Sequence, residues 1–172
     1  MASGKIRLNT LLILTLVFHG LRVEAMVKTS DSTITKIILF KSTRTLKVYH
    51  NDILLKTFKV ALGKFPKGAK HQEGDKKTPE GTYFIDAKNP KSQYHKALHI
   101  SYPSKKDWKY ARSHRISPGS DVEIHGLPQE YAYLGKTQSQ IDWTWGCIAL
   151  SNQELDSIYP WVKVGTPIIL KP

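Results

Sequence analysis

The 172-residue chain has very little cysteine: Cys147 is its single thiol. One cysteine excludes an intrachain disulfide, so packing must hold the fold together. A zinc site is also not predicted, because no second cysteine and no carboxylate cluster accompanies the histidines. Cys147 is therefore interpreted as a reactive group, an intermolecular link or a small buried hydrophobe, and composition alone leaves the three open.

Long apolar runs are also missing. The clearest one, residues 11–18, is well short of the ~20 residues that a membrane-spanning helix needs. It follows Lys5 and Arg7 and precedes Val23-Glu24-Ala25, which is the order of a secretory signal peptide. We predict a signal over residues 1–25, cleaved after Ala25, and an exported protein; a membrane anchor is the alternative that the short run disfavours.

Acidic residues are scarce: 14 Asp and Glu stand against 26 Lys and Arg, for a net charge of +12. Such a charge favours an anionic polymer such as a cell wall, an acidic lipid surface or nucleic acid, and it also suits a plain solvated surface. The lysines are scattered, and no helix-turn-helix, zinc-finger or single-strand-binding pattern occurs. We therefore predict no nucleic-acid partner.

The remaining chain predicts a short polar lead over residues 26–33 and one domain over residues 34–172. No internal repeat or low-complexity tract occurs. Apolar alternation predicts strands, the first three an antiparallel meander, at residues 34–40, 45–49, 53–62, 83–86, 97–102, 121–125 and 166–170. Residues 63–77 form a basic loop that we expect to cover a site, and residues 89–94 read as a polar connection. Short helices are predicted at residues 105–112 and, from the Ser151 and Glu154 capping box, at residues 151–159. The domain is predicted to be mainly β, a sandwich or a partly open barrel.

The surroundings of Cys147 favour a nucleophile. Gly146 lets a substrate backbone approach the sulfur and leaves neighbouring amides free to face a developing oxyanion. A thiol nucleophile needs a base, and His125 ends a strand just before Gly126, whose carbonyl can hold a ring nitrogen. His99, between two apolar residues, fits a core role and a substrate-facing role equally well.

Three separated motifs occur in a characteristic order: Thr78-Pro79-Glu80-Gly81, Ile124-His125-Gly126, and Thr144-x-Gly146-Cys147-Ile148 followed by Asn152. Together they resemble the signature of the L,D-transpeptidase (YkuD-type) catalytic domain over about residues 34–170. The resemblance implies a β-sandwich of mixed sheets with one or two short helices. Trp145 stands where that family usually has a second histidine, and Ala149 where arginine or asparagine is common.

The resemblance also implies residue roles. Cys147 would be the nucleophile and His125 the base, with the Gly126 carbonyl orienting His125. The amides of Trp145 and Gly146, with that of Cys147, would form the oxyanion hole. Substrate contacts are expected from His99, Thr144, Asn152 and Trp143. No metal and no organic cofactor is expected.

The implied reaction joins peptidoglycan stem peptides in the periplasm or cell wall. Cys147 would attack the bond between the L-centre of diaminopimelate and the terminal D-alanine of a tetrapeptide stem, and the thioester would pass to an amine of a neighbouring stem. Water as acceptor would make an L,D-carboxypeptidase, and a wall-attached protein as partner would make an anchoring or releasing enzyme. A non-catalytic wall-binding module, with Trp145 and Ala149 marking a decayed site, is the remaining alternative. The basic loop would attract the stem carboxylates.

Overall fold

The computed structural model describes residues 33–172. The predicted signal peptide, and the lead apart from its last residue, lie outside the described residues. Eight strands and two α-helices form in this part of the chain: β1 Lys36–Phe40, β2 Thr45–His50, β3 Ile53–Lys59, β4 Gly81–Ser92, β5 His95–Ile100, α1 Lys105–His114, β6 Glu123–His125, β7 Ile148–Ala149, α2 Asn152–Asp156 and β8 Pro167–Lys171. Short 3-10 segments add Gln129–Gln140, which a kink at Gly135 divides in two, and Tyr159–Trp161. The predicted mainly β fold with two short helices is confirmed.

The strands form one curled mixed sheet in the order β3-β2-β1-β8-β4-β5-β6-β7. The first three strands pair antiparallel, as the meander prediction required. Two pairs are parallel: β1 with β8, and β6 with β7. The last strand therefore lies in the middle of the sheet and joins its two halves.

The alternation of apolar residues places one face of these strands in a common core. On β1, Ile37 and Leu39 are fully buried, and Leu46 and Val48 of β2 lie beside them. The same core extends across the sheet to β5, β6 and β7 through Leu98, Ile100, Ile124 and Ile148. Burial of each such side chain contributes about 1.5–3 kcal/mol, so packing stabilises a domain that has no disulfide.

Strand β4 is longer than predicted, because it continues through the polar residues 89–92. Pairing with β5, which aligns Asn89 with Ala97 and Ser92 with His95, overrides their weak strand propensity. Two register shifts accompany this extension. The prediction of a polar connection at residues 89–94 was wrong, and the extended hairpin brings Tyr94 against the histidine of β6.

Helix α2 begins where the capping box predicts. The Ser151 side chain accepts from the Glu154 amide, and the Glu154 side chain accepts from the Ser151 amide. The helix ends at Asp156, earlier than predicted, and the 3-10 segment around Pro160 follows. The start of α2 fixes the chain immediately after β7. Among residues 33–172, no helix is both long enough and apolar enough to cross a membrane.

Candidate active site

The parallel pairing of β6 with β7 brings the predicted nucleophile and base to one face of the sheet. Ile124 is aligned with Ile148, and His125 is aligned with Ala149. Because side chains alternate along a strand, Cys147 shares the face of His125, and Glu123 shares it too.

His125 is a buried and oriented imidazole, with 3% of its surface exposed. Its Nδ1 donates to the Gly126 carbonyl oxygen at 2.7 Å, the contact that the resemblance implies. The ring of Tyr94 contacts it in a tilted arrangement at 4.5 Å between centroids, and the ring of Trp143 meets it edge-on at 5.7 Å. Burial lowers the pKa of His125, although the Gly126 carbonyl opposes this. The imidazole is therefore neutral near pH 7, with its lone pair on Nε2.

Asn152 supports the Gly126 turn. Its Oδ1 accepts from the Leu127 amide at 2.6 Å. A β-carbon at Gly126 would lie 2.5 Å from the same oxygen, so the backbone passes directly against Asn152. Asn152, which was predicted to contact substrate, thus holds the Gly126–Leu127 segment, and the Gly126 carbonyl in turn orients His125.

Cys147 is a half-buried neutral thiol. Its Sγ donates to the Asp121 carbonyl oxygen at 3.5 Å, and within residues 33–172 it makes no hydrogen bond to His125. Burial raises the pKa of Cys147 to about 11, a backbone hydrogen bond from Glu123 lowers it in part, and the Glu123 carboxylate adds to the rise. The Sγ hydrogen bond thus points to Asp121 rather than to His125.

Thr144 shapes the turn that carries Cys147. Its hydroxyl is buried, donates to the Cys147 carbonyl oxygen at 2.8 Å and accepts from the Gly146 amide at 3.1 Å. Gly146 has a φ of +135°, and a β-carbon there would lie 2.7 Å from the Lys77 carbonyl oxygen, so only glycine fits. The Gly146 amide is thus occupied, and the amides of Trp145 and Cys147 are the ones that remain for the predicted oxyanion role.

A cavity of about 230 Å³ opens above Cys147. Its lining includes Trp145, which is 65% exposed, and Lys70, which is only 5% exposed. The Lys70 ammonium donates to Asp75 Oδ1 at 3.0 Å and favours the Cys147 thiolate electrostatically. Asp75 is held by backbone amides and has a lowered pKa, because those hydrogen bonds outweigh the opposing effect of its burial.

Trp143 lies on the other side of His125, in the wall of a larger cavity of about 680 Å³. Its Nε1 donates to Gln138 Oε1 at 3.0 Å, and Gln138 Nε2 donates to the Ala149 carbonyl oxygen at 3.0 Å. The 3-10 segment Gln129–Gln140 is thereby fastened to β7. The structure thus places the two tryptophans, Trp143 and Trp145, at different cavities.

His99 is bound to carboxylates near Cys147. Its Nδ1 lies 2.6 Å from Asp86 Oδ1, and its Nε2 lies 3.7 Å from Asp121 Oδ1. It is aligned with Glu123 across β5 and β6, and burial raises the pKa of Glu123 while the His99 charge opposes the rise. These contacts place His99 beside two carboxylates, and its contact with substrate stays a prediction. In the part of the chain that the structure describes, no group of three His, Cys, Asp or Glu side chains is placed to hold a metal ion.

Sequence reasoning missed four residues of this region: Lys70, Tyr94, Glu123 and Gln138. Glu123 could have been found, since strand alternation places it on the face of His125. The other three lie in loops or in the 3-10 segment, where no period relates a residue to the site.

Comparison with known proteins agrees with this geometry. The YkuD family model, described as the L,D-transpeptidase catalytic domain, matches residues 34–170. YafK of Escherichia coli (strain K12), which carries an L,D-transpeptidase name, is 31% identical over 132 residues, covering 73% of this chain and 46% of that protein.

Among solved structures, the helical cell shape determining protein Pgp2 from Campylobacter jejuni is similar with a TM-score of 0.62 and 27% identity, over 81% of this chain and 48% of that chain. An L,D-transpeptidase from Mycobacterium smegmatis shares the fold, with a TM-score of 0.54 and 20% identity, over 80% of this chain and 58% of that chain. The chain spans about half the length of YafK and Pgp2. By its fold, its motif order and the family match, the chain belongs to the L,D-transpeptidase (YkuD) catalytic domain family.

Proposed function

We propose that the protein is a peptidoglycan L,D-transpeptidase in which Cys147 forms the acyl-enzyme. The observation that carries this proposal is the His125 arrangement: a neutral imidazole whose Nδ1 is held by the Gly126 carbonyl and which shares a sheet face with Cys147. Family membership supports the same chemistry.

In the first step, His125 Nε2 takes the Cys147 proton as the sulfur attacks the carbonyl of the diaminopimelate L-centre. Since the resting thiol has a pKa of about 11, proton transfer accompanies the attack, and no thiolate is stored beforehand. The amides of Trp145 and Cys147 stabilise the oxyanion. The C–N bond breaks, D-alanine leaves with the proton from His125, and a thioester remains.

In the second step, an amine of a neighbouring stem attacks the thioester and gives its proton to His125. The C–S bond breaks, the thiol recovers its proton, and a cross-link joins the third residues of two stems. The buried His125 ring suits both directions of transfer, because the Gly126 carbonyl fixes its orientation throughout.

The site of action follows from the substrate. We propose that residues 1–25 direct export, that cleavage occurs after Ala25, and that residues 34–172 act as the catalytic domain in the periplasm or cell wall. Sequencing the amino terminus of the exported protein tests the cleavage site, and a start at Met26 is the expected result.

The experiment for the reaction is mass analysis of tetrapeptide muropeptides incubated with residues 26–172, beside a Cys147→Ala control. Formation of a cross-linked dimer with loss of D-alanine, absent from the control, is the expected result. Formation of the tripeptide muropeptide without any dimer would indicate a carboxypeptidase instead of a transpeptidase. Masses identical to those of the control would contradict both and would leave a protein acceptor or a non-catalytic wall-binding module.

A further inference from the structure

Trp145 and two lysines of the loop between β3 and β4 form an exposed basic surface at the mouth of the Cys147 cavity. Lys76 Nζ lies 4.7 Å from the centroid of the Trp145 ring, and Lys64 Nζ lies 6.0 Å from it. Trp145 is itself part of the cavity lining. We name Lys64, Lys76 and Trp145 the lysine–tryptophan platform.

The two lysines of the platform take part in no salt bridge of residues 33–172. Within residues 33–172, neither Lys64 nor Lys76 has a carboxylate partner, whereas two buried lysines that contact this loop are ion-paired: Lys41, after β1, with Glu80, and Lys70, in the loop, with Asp75. Paired and buried lysines serve the fold. Two unpaired ammonium groups beside one ring concentrate positive charge at the entrance to the nucleophile.

The backbone holds the platform in place. The Lys64 amide donates to the Thr144 carbonyl oxygen at 3.0 Å, next to Trp145, and the Phe65 amide donates to the Lys76 carbonyl oxygen at 3.1 Å. A β-carbon at Gly63 would lie 3.1 Å from the Gly146 α-carbon, so the segments before Lys64 and after Trp145 are in direct contact. The backbone that carries the ring and both lysines is therefore positioned before any ligand arrives, which reduces the entropy lost on binding.

We propose that the lysine–tryptophan platform binds the free carboxylates of the donor stem peptide and so selects stems whose carboxyl groups are not amidated. This inference rests on the proposed function for its substrate class. Each ammonium forms a charge-assisted hydrogen bond to a carboxylate, and the Trp145 face restrains the ammonium groups beside the cavity. Amidation of the stem removes the negative charge that these groups recognise.

The test measures binding on a Cys147→Ala background, where no turnover occurs. We expect the tetrapeptide muropeptide to bind about tenfold more tightly than its carboxyl-amidated form, and more weakly as salt rises. The Lys64→Gln/Lys76→Gln variant is expected to lose this preference and most of the salt dependence. The Lys64→Arg/Lys76→Arg variant is expected to keep both, and circular dichroism checks that each variant is folded.

The chain offers a matched control in Lys47 and Lys171, whose Nζ atoms lie 5.4 Å and 5.3 Å from the Phe40 ring, outside the Cys147 cavity. Lys47→Gln/Lys171→Gln removes the same charge and is expected to leave the preference intact. Equal affinity for free and amidated stems would refute the proposed role of the platform. A preference for free stems that persists in Lys64→Gln/Lys76→Gln would refute it as well. Turnover of the tetrapeptide muropeptide by the unsubstituted protein is measured in parallel. If turnover occurs but free and amidated stems bind equally, the role of the platform alone is refuted. If free stems are preferred but no turnover occurs, the proposed reaction alone is refuted.

Discussion

At the scale of single residues, Cys147 and His125 are both neutral groups. Burial raises the thiol pKa to about 11 and lowers the imidazole pKa, so both shifts disfavour a preformed thiolate–imidazolium pair. A neutral thiol resists oxidation and alkylation, because the thiolate is the reactive form.

The first prediction concerns the reactivity of this thiol. Iodoacetamide is expected to modify folded Cys147 slowly at pH 7, with a rate that rises about tenfold per pH unit from pH 8 to pH 10, because the thiolate fraction grows in that proportion below the pKa. Mass spectrometry of the alkylated protein gives the rate. The urea-unfolded protein serves as control and is expected to react faster at pH 8. A rate already level at pH 8 in the folded protein would contradict the raised pKa.

A second residue-scale prediction concerns Asn152. Asn152→Ala removes the 2.6 Å bond to the Leu127 amide and loosens the Gly126 turn, so the imidazole loses orientation. We expect kcat to fall about tenfold or more with little change in KM, since misplacement of a reacting group costs rate. The neighbouring exposed residue gives the control Gln153→Ala, which is expected to leave kcat unchanged. A rise in KM at constant kcat would instead indicate that Asn152 contacts the substrate, as its motif position predicts.

At the scale of elements, the loop between β3 and β4 is held by a buried cation. Lys41, 2% exposed, donates from Nζ to the carbonyl oxygens of Gly68 and Thr78 and to Glu80 Oε1, at 2.6, 2.7 and 2.8 Å. Burial lowers its pKa, and the Glu80 carboxylate opposes the shift. The loop that carries Lys64 and Lys76 is therefore fastened to the turn that follows β1.

The corresponding prediction is that Lys41→Met lowers the free energy of unfolding by about 2–4 kcal/mol, because two carbonyls and a carboxylate lose their donor. Urea denaturation measures the loss, and hydrogen exchange is expected to increase in residues 64–80. Lys59→Met is the control, since Lys59 donates to the Thr43 carbonyl oxygen at an exposed position. Equal stability of the two variants would show that the buried contacts do not hold the loop.

At the scale of the whole molecule, β8 connects the two halves of the sheet. It pairs with β1 on one side, from Ile168 to Lys171, and with β4 on the other, from Pro167 to Leu170. Ile168 and Leu170 also belong to the core. The last strand of the chain thus lies between β1 and β4 and holds the two halves of the sheet together.

Removal of residues 166–172 is therefore expected to abolish cooperative unfolding, since it opens both ladders and exposes the core. Far-ultraviolet circular dichroism during a urea titration detects the loss. A chain lacking only Pro172 retains every β8 pair and is expected to unfold like the intact protein. A cooperative transition in the shorter chain would mean that the β1 and β4 sides meet without β8.

Local patterns in the sequence were sufficient for the meander, both helix starts, the family and the pairing of His125 with Gly126, because period, capping and motif order are properties of neighbouring residues. They were not sufficient for the β4 extension, since strand pairing there outweighs the propensity of polar residues.

What the tertiary structure alone decided is the chemistry around the sulfur. The raised pKa of Cys147 comes from burial. The contacts of His99 with Asp86 and Asp121 join residues far apart in the chain, and so does the packing of Lys64 and Lys76 against Trp145. The sequence determined which groups are present and in what order. Their protonation and their partners follow from desolvation and from contacts made only when the sheet closes.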